Sequence, residues 1–198
     1  MKTVLQINAS MFGEHGQSSR LAEALAKVLL QRGDRFIKRD LAAEPVPHLT
    51  PQRFAAFTTP AEARTAEQRE VAAYSDTLIN ELRAADVIVL GLPMYNFGVP
   101  SSLKAYFDHI ARAGATFRYT ASGPEGLLTV KKAYVLAARG GHYQGTPADN
   151  ESPYIRQFLG FLGIKDVEFI FAEGLAIGDQ HKVKALEAAN ANIALLAA

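Results

Sequence analysis

The sequence predicts an α/β fold: a doubly wound, five-stranded parallel sheet in strand order 2-1-3-4-5. Three observations carry that expectation. Short β-branched runs alternate with longer runs whose apolar residues recur at helical spacing. Such alternation implies right-handed crossovers and a parallel sheet covered on both faces. The run Val87-Ile88-Val89-Leu90 is apolar at consecutive positions, as a strand buried on both sides must be. The chain has 198 residues and one ligand-type loop after its first strand, which suits five strands better than the six of the dinucleotide-binding arrangement. That length fits one domain spanning residues 1–198.

The elements follow in order. Val4 to Ile7 is the first strand. Ser18 to Leu30 is a helix with Leu21, Leu25, Val28 and Leu29 on one face, stopped by Gly33. Arg35 to Arg39 is a polar-flanked strand near an edge. Residues 41–63 carry Pro45, Pro47, Pro51 and Pro60 and read as a surface excursion with room for one short helix. Glu67 to Ala84 is a helix, and Asp86 opens the strand from Val87 to Leu90. After the loop Met94 to Pro100, Ser101 or Ser102 caps a helix bearing Leu103, Tyr106, Phe107 and Ile110. Thr116 to Leu127 alternates around Ser122-Gly123-Pro124 and predicts a hairpin-like excursion. Ala133 to Ala137 is a buried strand. Ser152-Pro153 starts a helix in the favoured cap and first-turn order, and Gly163 ends it. Val167 to Phe171 is the last strand, with a C-terminal helix from His181.

Composition excludes several classes. The formal net charge is +1 and the cations are scattered, which argues against nucleic acid or an anionic membrane as partner. There is no cysteine, so disulfides, thiolate catalysis and thiolate metal sites are excluded. No run of about 18 apolar residues exists to span a bilayer, and the first residues do not resemble a secretory signal, so a cytoplasmic location is expected. The five histidines show no metal-ligand spacing, and no G-x-S-x-G elbow is present. The first strand ends in Asn-Ala-Ser, not in the Asp cluster that a phospho-accepting signalling domain needs for Mg²⁺.

In such sheets ligands bind beyond the carboxyl ends of the strands, at the switch point between the first and third. Three loops therefore matter. The first, Asn8 to Ser19, enters a helix N-terminus, where free N–H groups and the helix dipole favour a phosphate. Ser10, Ser18 and Ser19 add hydroxyls there. The loop has no P-loop lysine, which favours a metal-free phosphomonoester; an ordinary loop with Ser18 as helix cap fits the same residues. The second places Tyr95 and Phe97 around Asn96 at the mouth of the most buried strand, an arrangement for a flat heteroaromatic ring or for packing under the next helix. The third, Arg139-Gly140-Gly141-His142-Tyr143, lets backbone N–H groups approach a ligand. In the helix from Pro153, Ile155, Phe158, Leu159 and Leu162 form the core stripe. Tyr154 and Phe161 lie off its centre, which points either to a partner subunit or to a wide stripe.

The run MYNFGVPSSLKAYFDHIARAGATFRYTASGPEGL, Met94 to Leu127, resembles the bacterial FMN-dependent NADH-azoreductases, which belong to the flavodoxin-like NAD(P)H:quinone oxidoreductases. The resemblance extends over Ser10, Gln17-Ser18, Arg139-Gly140-Gly141, FLGFLGI from Phe158 and FAEG from Phe171. It implies a flavodoxin-like fold, FMN as cofactor, NADH or NADPH as electron donor, and quinones and azo compounds as acceptors. It implies ping-pong turnover and a homodimer with its sites at the interface. By the same resemblance, Ser10, Gly16, Gln17 and Ser18 contact the phosphate. Met94, Tyr95, Asn96, Phe97, Ala138, Arg139, Gly140 and Gly141 hold the ring. Tyr119 and Phe161 reach the flavin from the other subunit. Gly16 and Ala138 stand where hydroxyl residues are frequent in the family, and each removes one hydrogen bond. Tyr143 is an expected acceptor contact, within a stretch, His142 to Asn150, that varies in the family. Arg118 or Arg139 is a candidate partner for a 2′-phosphate. No acid–base residue is nominated. An electron carrier and a flavin reductase are the alternatives that the same cofactor site allows.

Overall fold

A computed structural model describes residues 1–130 and 132–196. Among them the order is β1 (Thr3–Asn8), α1 (Gln17–Leu29), β2 (Arg35–Asp40), α2 (Pro51–Thr58), α3 (Ala66–Ala84), β3 (Val87–Pro93), α4 (Ser101–Ile110), β4 (Phe117–Thr120), β5 (Gly123–Gly126), β6 (Lys132–Ala138), α5 (Glu151–Leu162), β7 (Val167–Ala172) and α6 (Asp179–Leu195). Short 3-10 turns occupy Gly13–His15 and Ala61–Ala63. Among the described residues, five strands form a parallel sheet in the order β2-β1-β3-β6-β7, while β4 and β5 pair only with each other. This order is compatible with the expected 2-1-3-4-5 once the hairpin strands are left out of the count.

The pleat of β1 sorts its side chains to two cores. Leu5 and Ile7, with Ala9 just past the strand, face a core built with α3, α4 and α5, while Val4 faces one built with α1 and α6. Both layers are fully covered, and this is why β3 and β6 read as continuous apolar runs. Edge strand β2 is polar and half-exposed, as its composition indicated.

Helix starts differ from expectation. Pro100 takes the cap position of α4, and Ser101 and Ser102 lie within its first turn without a capping bond. Helix α5 starts at Glu151, before Ser152-Pro153; Asp149 Oδ1 accepts the Ser152 N–H at 3.1 Å and does the capping. Helix α3 opens on a reciprocal Thr65–Gln68 box, the structural form of a T-x-x-Q signal in the sequence. Gly163 closes α5 with φ 107°, as expected. No described helix is long and apolar enough to cross a membrane.

Candidate active site

Three loops meet at the carboxyl edge of the sheet. The first leaves β1 at Asn8 and enters α1, with Gly16 in the cap position. Arg20 N donates to Gly16 O at 3.0 Å, so the N–H groups of Gln17, Ser18 and Ser19 have no acceptor within the helix. Ser18 and Ser19 are each 1% exposed, and among the described residues their hydroxyls have no partner. A buried polar atom left unpaired costs about 1–3 kcal/mol. Here such atoms stand beside the positive end of a helix, which suits an anion that completes them.

Close packing fixes this loop. A Cβ on Gly91 of β3 would lie 2.9 Å from Ser18 O, so this glycine lets the first turn of α1 settle on the sheet. A Cβ on Gly16 would lie 2.2 Å from Ser10 Oγ, so Ser10 folds into the space that a larger residue at 16 would need. Ser10 Oγ accepts the Phe12 N–H at 3.2 Å and lies 3.3 Å from Tyr95 Oη, which also accepts the Met11 N–H at 3.3 Å. The Tyr95 hydroxyl thus ties the first loop to the second.

The second loop is a two-residue turn. Tyr95 N donates to Gly98 O at 3.0 Å and Gly98 N to Tyr95 O at 3.1 Å. Asn96 and Phe97 between them have φ of 50° and 63°. Asparagine tolerates this left-handed region, whereas a bulky phenylalanine rarely enters it, at a cost of about 1–2 kcal/mol. Strain of this kind collects at ligand sites. It leaves the N–H groups of Asn96 and Phe97 without an acceptor among the described residues, and Phe97 is 55% exposed.

The third loop follows β6. Leu175, Ala176 and Gly174 donate their N–H groups to the carbonyls of Arg139, Gly140 and Gly141 at 3.1, 3.0 and 3.0 Å. The N–H groups of Gly140 and Gly141 keep no acceptor among the described residues. A cleft of about 260 Å³ lies between the second and third loops, lined by Met94, Asn96, Phe97, Gly140 and Tyr143. Tyr143 meets Phe97 edge-on with ring centroids 5.6 Å apart. Ala138 contributes its carbonyl to Met94 N at 3.1 Å, and its side chain is buried.

Arg139 opens the third loop. Its side chain is 0% exposed and cannot reach a 2′-phosphate; among the described residues it pairs with Asp149 at 2.8 Å, Glu173 at 3.2 Å and Glu151 at 3.4 Å. Its backbone N–H and carbonyl are spent on Ala172 and Leu175. Arg139 therefore builds the loop without offering a polar group to the cleft. Nothing in the residues around Arg139 flagged this cluster, because its acids arrive from the start of α5 and the end of β7. Burial alone would raise the Asp149 carboxyl, but bonds from Arg139 and Ser152 outweigh it and hold it below its usual range. Glu151 is pushed up to about 8, burial overriding the opposing pull of Arg139.

Tyr119 and Phe161 do not line this cleft within the chain. Tyr119 is 76% exposed on the hairpin, and Phe161 packs on Phe117 at 4.4 Å. The hairpin seats tightly, since a Cβ on Gly126 would lie 2.1 Å from Gly163 N. Tyr154 packs on Phe107, which stacks on Phe158 at 4.0 Å, so the second face of α5 has intrachain partners. Arg118 pairs with Glu125 across the hairpin at 2.8 Å.

Fold and loops together define a sheet protein built to hold a phosphorylated flat ring at its switch point. The family described as having a flavodoxin-like fold matches residues 2–196, and the chain belongs to it. It is similar to an FMN-dependent NADH:quinone oxidoreductase of Cellvibrio japonicus, 57% identical over 91% of this chain and 92% of that one. It is also similar to FMN-dependent NADH:quinone oxidoreductase 6 of Burkholderia lata, 55% identical over 98% and 99%. Among solved structures, an FMN-dependent NADH-azoreductase of Bacillus anthracis in complex with FMN superposes with a TM-score of 0.87, 25% identity and full coverage of both chains.

Proposed function

We propose that this protein is an FMN-dependent oxidoreductase that passes electrons from NADH two at a time to quinones, and to azo compounds, whose cleavage to two amines takes two such rounds and two NADH. The observation that carries the proposal is the convergence of unpaired donors at one sheet edge. The buried Ser18 and Ser19 hydroxyls and three free N–H groups lie at the start of α1, and the free N–H groups of Asn96, Phe97, Gly140 and Gly141 lie around the cleft. A phosphomonoester fits the first set and the polar rim of a flat ring fits the second. Relatives named for FMN and NADH support the same assignment.

FMN held by these residues would supply the redox chemistry, accepting a hydride from a nicotinamide and passing its two electrons to an acceptor. The protein binds, orients and tunes. Ser10, Gly16, Gln17 and Ser18 hold the phosphate. Met94, Tyr95, Asn96 and Phe97 support one side of the ring. Ala138 and Arg139 shape the loop from which the Gly140 and Gly141 N–H dipoles stabilise negative charge at the ring edge. No side chain is required as a nucleophile. A single cleft beside Tyr143 and Phe97 that would admit donor and acceptor in turn would give ping-pong kinetics. The chain acts as one domain in a homodimer, where Tyr119 and Phe161 of the partner subunit close over the ring and complete the acceptor site with Tyr143. It works in the cytoplasm on small aromatic acceptors, without a nucleic-acid or membrane partner.

The test is the visible spectrum of the purified protein, alone, after anaerobic NADH, and after a quinone. Yellow absorbance that bleaches with NADH and returns with quinone is the expected result. A colourless protein that gains no flavin absorbance from added FMN refutes it.

A further inference from the structure

Tyr143 is the only aromatic side chain that the third loop contributes to the cleft among the described residues, and its placement comes from outside that loop. Glu173 follows β7. Its Oε1 accepts the N–H of Tyr143 at 3.0 Å and the N–H of Gln144 at 3.0 Å, and it takes a third bond from Arg139 Nη1 at 3.2 Å. One oxygen therefore fixes two consecutive backbone groups and is itself fixed by a guanidinium that has no exposed surface. Beyond this point the chain turns, with Thr146 N donating to Tyr143 O at 3.0 Å and Gly145 at φ 75°.

The Tyr143 ring is wedged as a result. A Cβ on Gly141 would lie 2.8 Å from both its Cζ and its Oη, so the phenol occupies the space above that glycine. Its other neighbour is Phe97, held in the strained turn. A wall held by its backbone at one end and packed at the other sets the width of what can enter the cleft.

We infer that Glu173 is a positioning residue that determines acceptor specificity: it fixes Tyr143 as the wall of the ring cleft through the Tyr143 and Gln144 N–H groups. The inference rests on the proposed function for the meaning of that cleft. Glu173 itself touches no substrate. Its effect passes through two hydrogen bonds, which separates this role from the alternative one of neutralising Arg139.

Two conservative substitutions separate the roles. Glu173→Gln keeps an oxygen at the same reach and loses the charge. Glu173→Asp keeps the charge beside Arg139 and falls one methylene short of the two N–H groups. If Glu173 positions Tyr143, hydrogen exchange of the 142–146 amides in the purified full-length protein rises about tenfold in E173D and stays near wild type in E173Q. The ratio of kcat/KM for a three-ring quinone to that for benzoquinone then shifts about fivefold in E173D, through KM more than kcat, and not in E173Q. The opposite pattern, with E173Q disturbed and E173D normal, overturns the inference, as does equal behaviour of the two. The exchange measurement needs no flavin. A protein that fails to bind FMN thus refutes the proposed function, while the loop result still decides what Glu173 does.

Discussion

The loop after β1 and the loop after β6 lie at the same edge of the sheet and treat buried polar groups in opposite ways. In the first, the Ser18 and Ser19 hydroxyls are buried and unpaired at a helix start. In the second, Arg139 lies fully buried above the Phe171 ring, its charge met by Asp149 and Glu173, with the Glu151 carboxyl alongside. The difference teaches which groups a ligand is expected to complete. Unpaired donors at an open helix start mark the place of ligand atoms, whereas a buried cation enclosed by its own acids marks scaffold, even though Arg139 Nε and both Glu151 oxygens lack a hydrogen-bond partner among the described residues. Both loops carry polar residues next to glycines, yet only the first holds buried side-chain donors without partners at a helix start.

The hardest test of this contrast removes Arg139. Arg139→Ala leaves Asp149, Glu151 and Glu173 without their common cation, and breaking a buried pair of this kind costs about 3–5 kcal/mol. Urea unfolding is expected to show that loss; a change within experimental error would mean that the cluster does not support the loop. Next comes Gly16→Ser. The added side chain must displace Ser10, and overpacking of this order costs about 1–3 kcal/mol. Thermal melts of G16S are expected to show it, with recovery when Ser10→Gly is added; no recovery would show that Ser10 is not the obstacle.

Ser18→Ala sharpens the comparison from the other side. Removing an unpaired buried hydroxyl lifts its desolvation cost and leaves the flavin-free protein at least as stable as before, whereas FMN affinity falls about tenfold, the worth of one hydrogen bond to a charged group. Fluorescence titration of FMN measures the second effect and a melt of the flavin-free protein the first. A large loss of stability without loss of affinity would assign Ser18 to the scaffold.

A further test concerns pH. The Glu151 carboxyl is raised to about 8 in the folded chain, from an ordinary value of 4.5. Between these two values the folded state binds more protons than the unfolded, so this group's contribution is fully present below pH 4.5 and is lost as pH rises through 8. Glu151→Gln removes that slope. The wild-type stability minus that of E151Q should therefore fall from pH 5 to pH 8; a difference that rises would mean that Glu151 is ionised beside Arg139. His109 is held below its usual value, chiefly by burial, and slopes the opposite way, which is why the difference between the two proteins is the quantity to measure.

Much of the fold was legible because periodicity reports burial directly. The runs Val87 to Leu90 and Ala133 to Ala137 read as interior parallel strands and Gly163 as a helix stop, and the structure has them so. Helix starts were harder, since serine and proline signals compete within a few residues. At α5 the capping oxygen comes from Asp149, three residues before the serine that looked like the cap. The phosphate-type loop was visible as a strand, a serine and glycine loop, and a helix. That its serine hydroxyls are buried without partners was not visible, because that depends on how closely α1 sits over Gly91.

The sequence by itself determined the alternation of strands and helices, the two-sided burial of the sheet and the three loops that bear ligand-type residues. These are local properties of composition and spacing. The tertiary structure alone decided that Arg139 is scaffold, that Asn96 and Phe97 are held in left-handed backbone, and that Glu173 fixes Tyr143 from across the sheet edge. Each of those facts depends on groups 10 to 34 residues apart in the chain, or on strain that neighbouring elements must hold in place. Spacing along the chain carries no record of either.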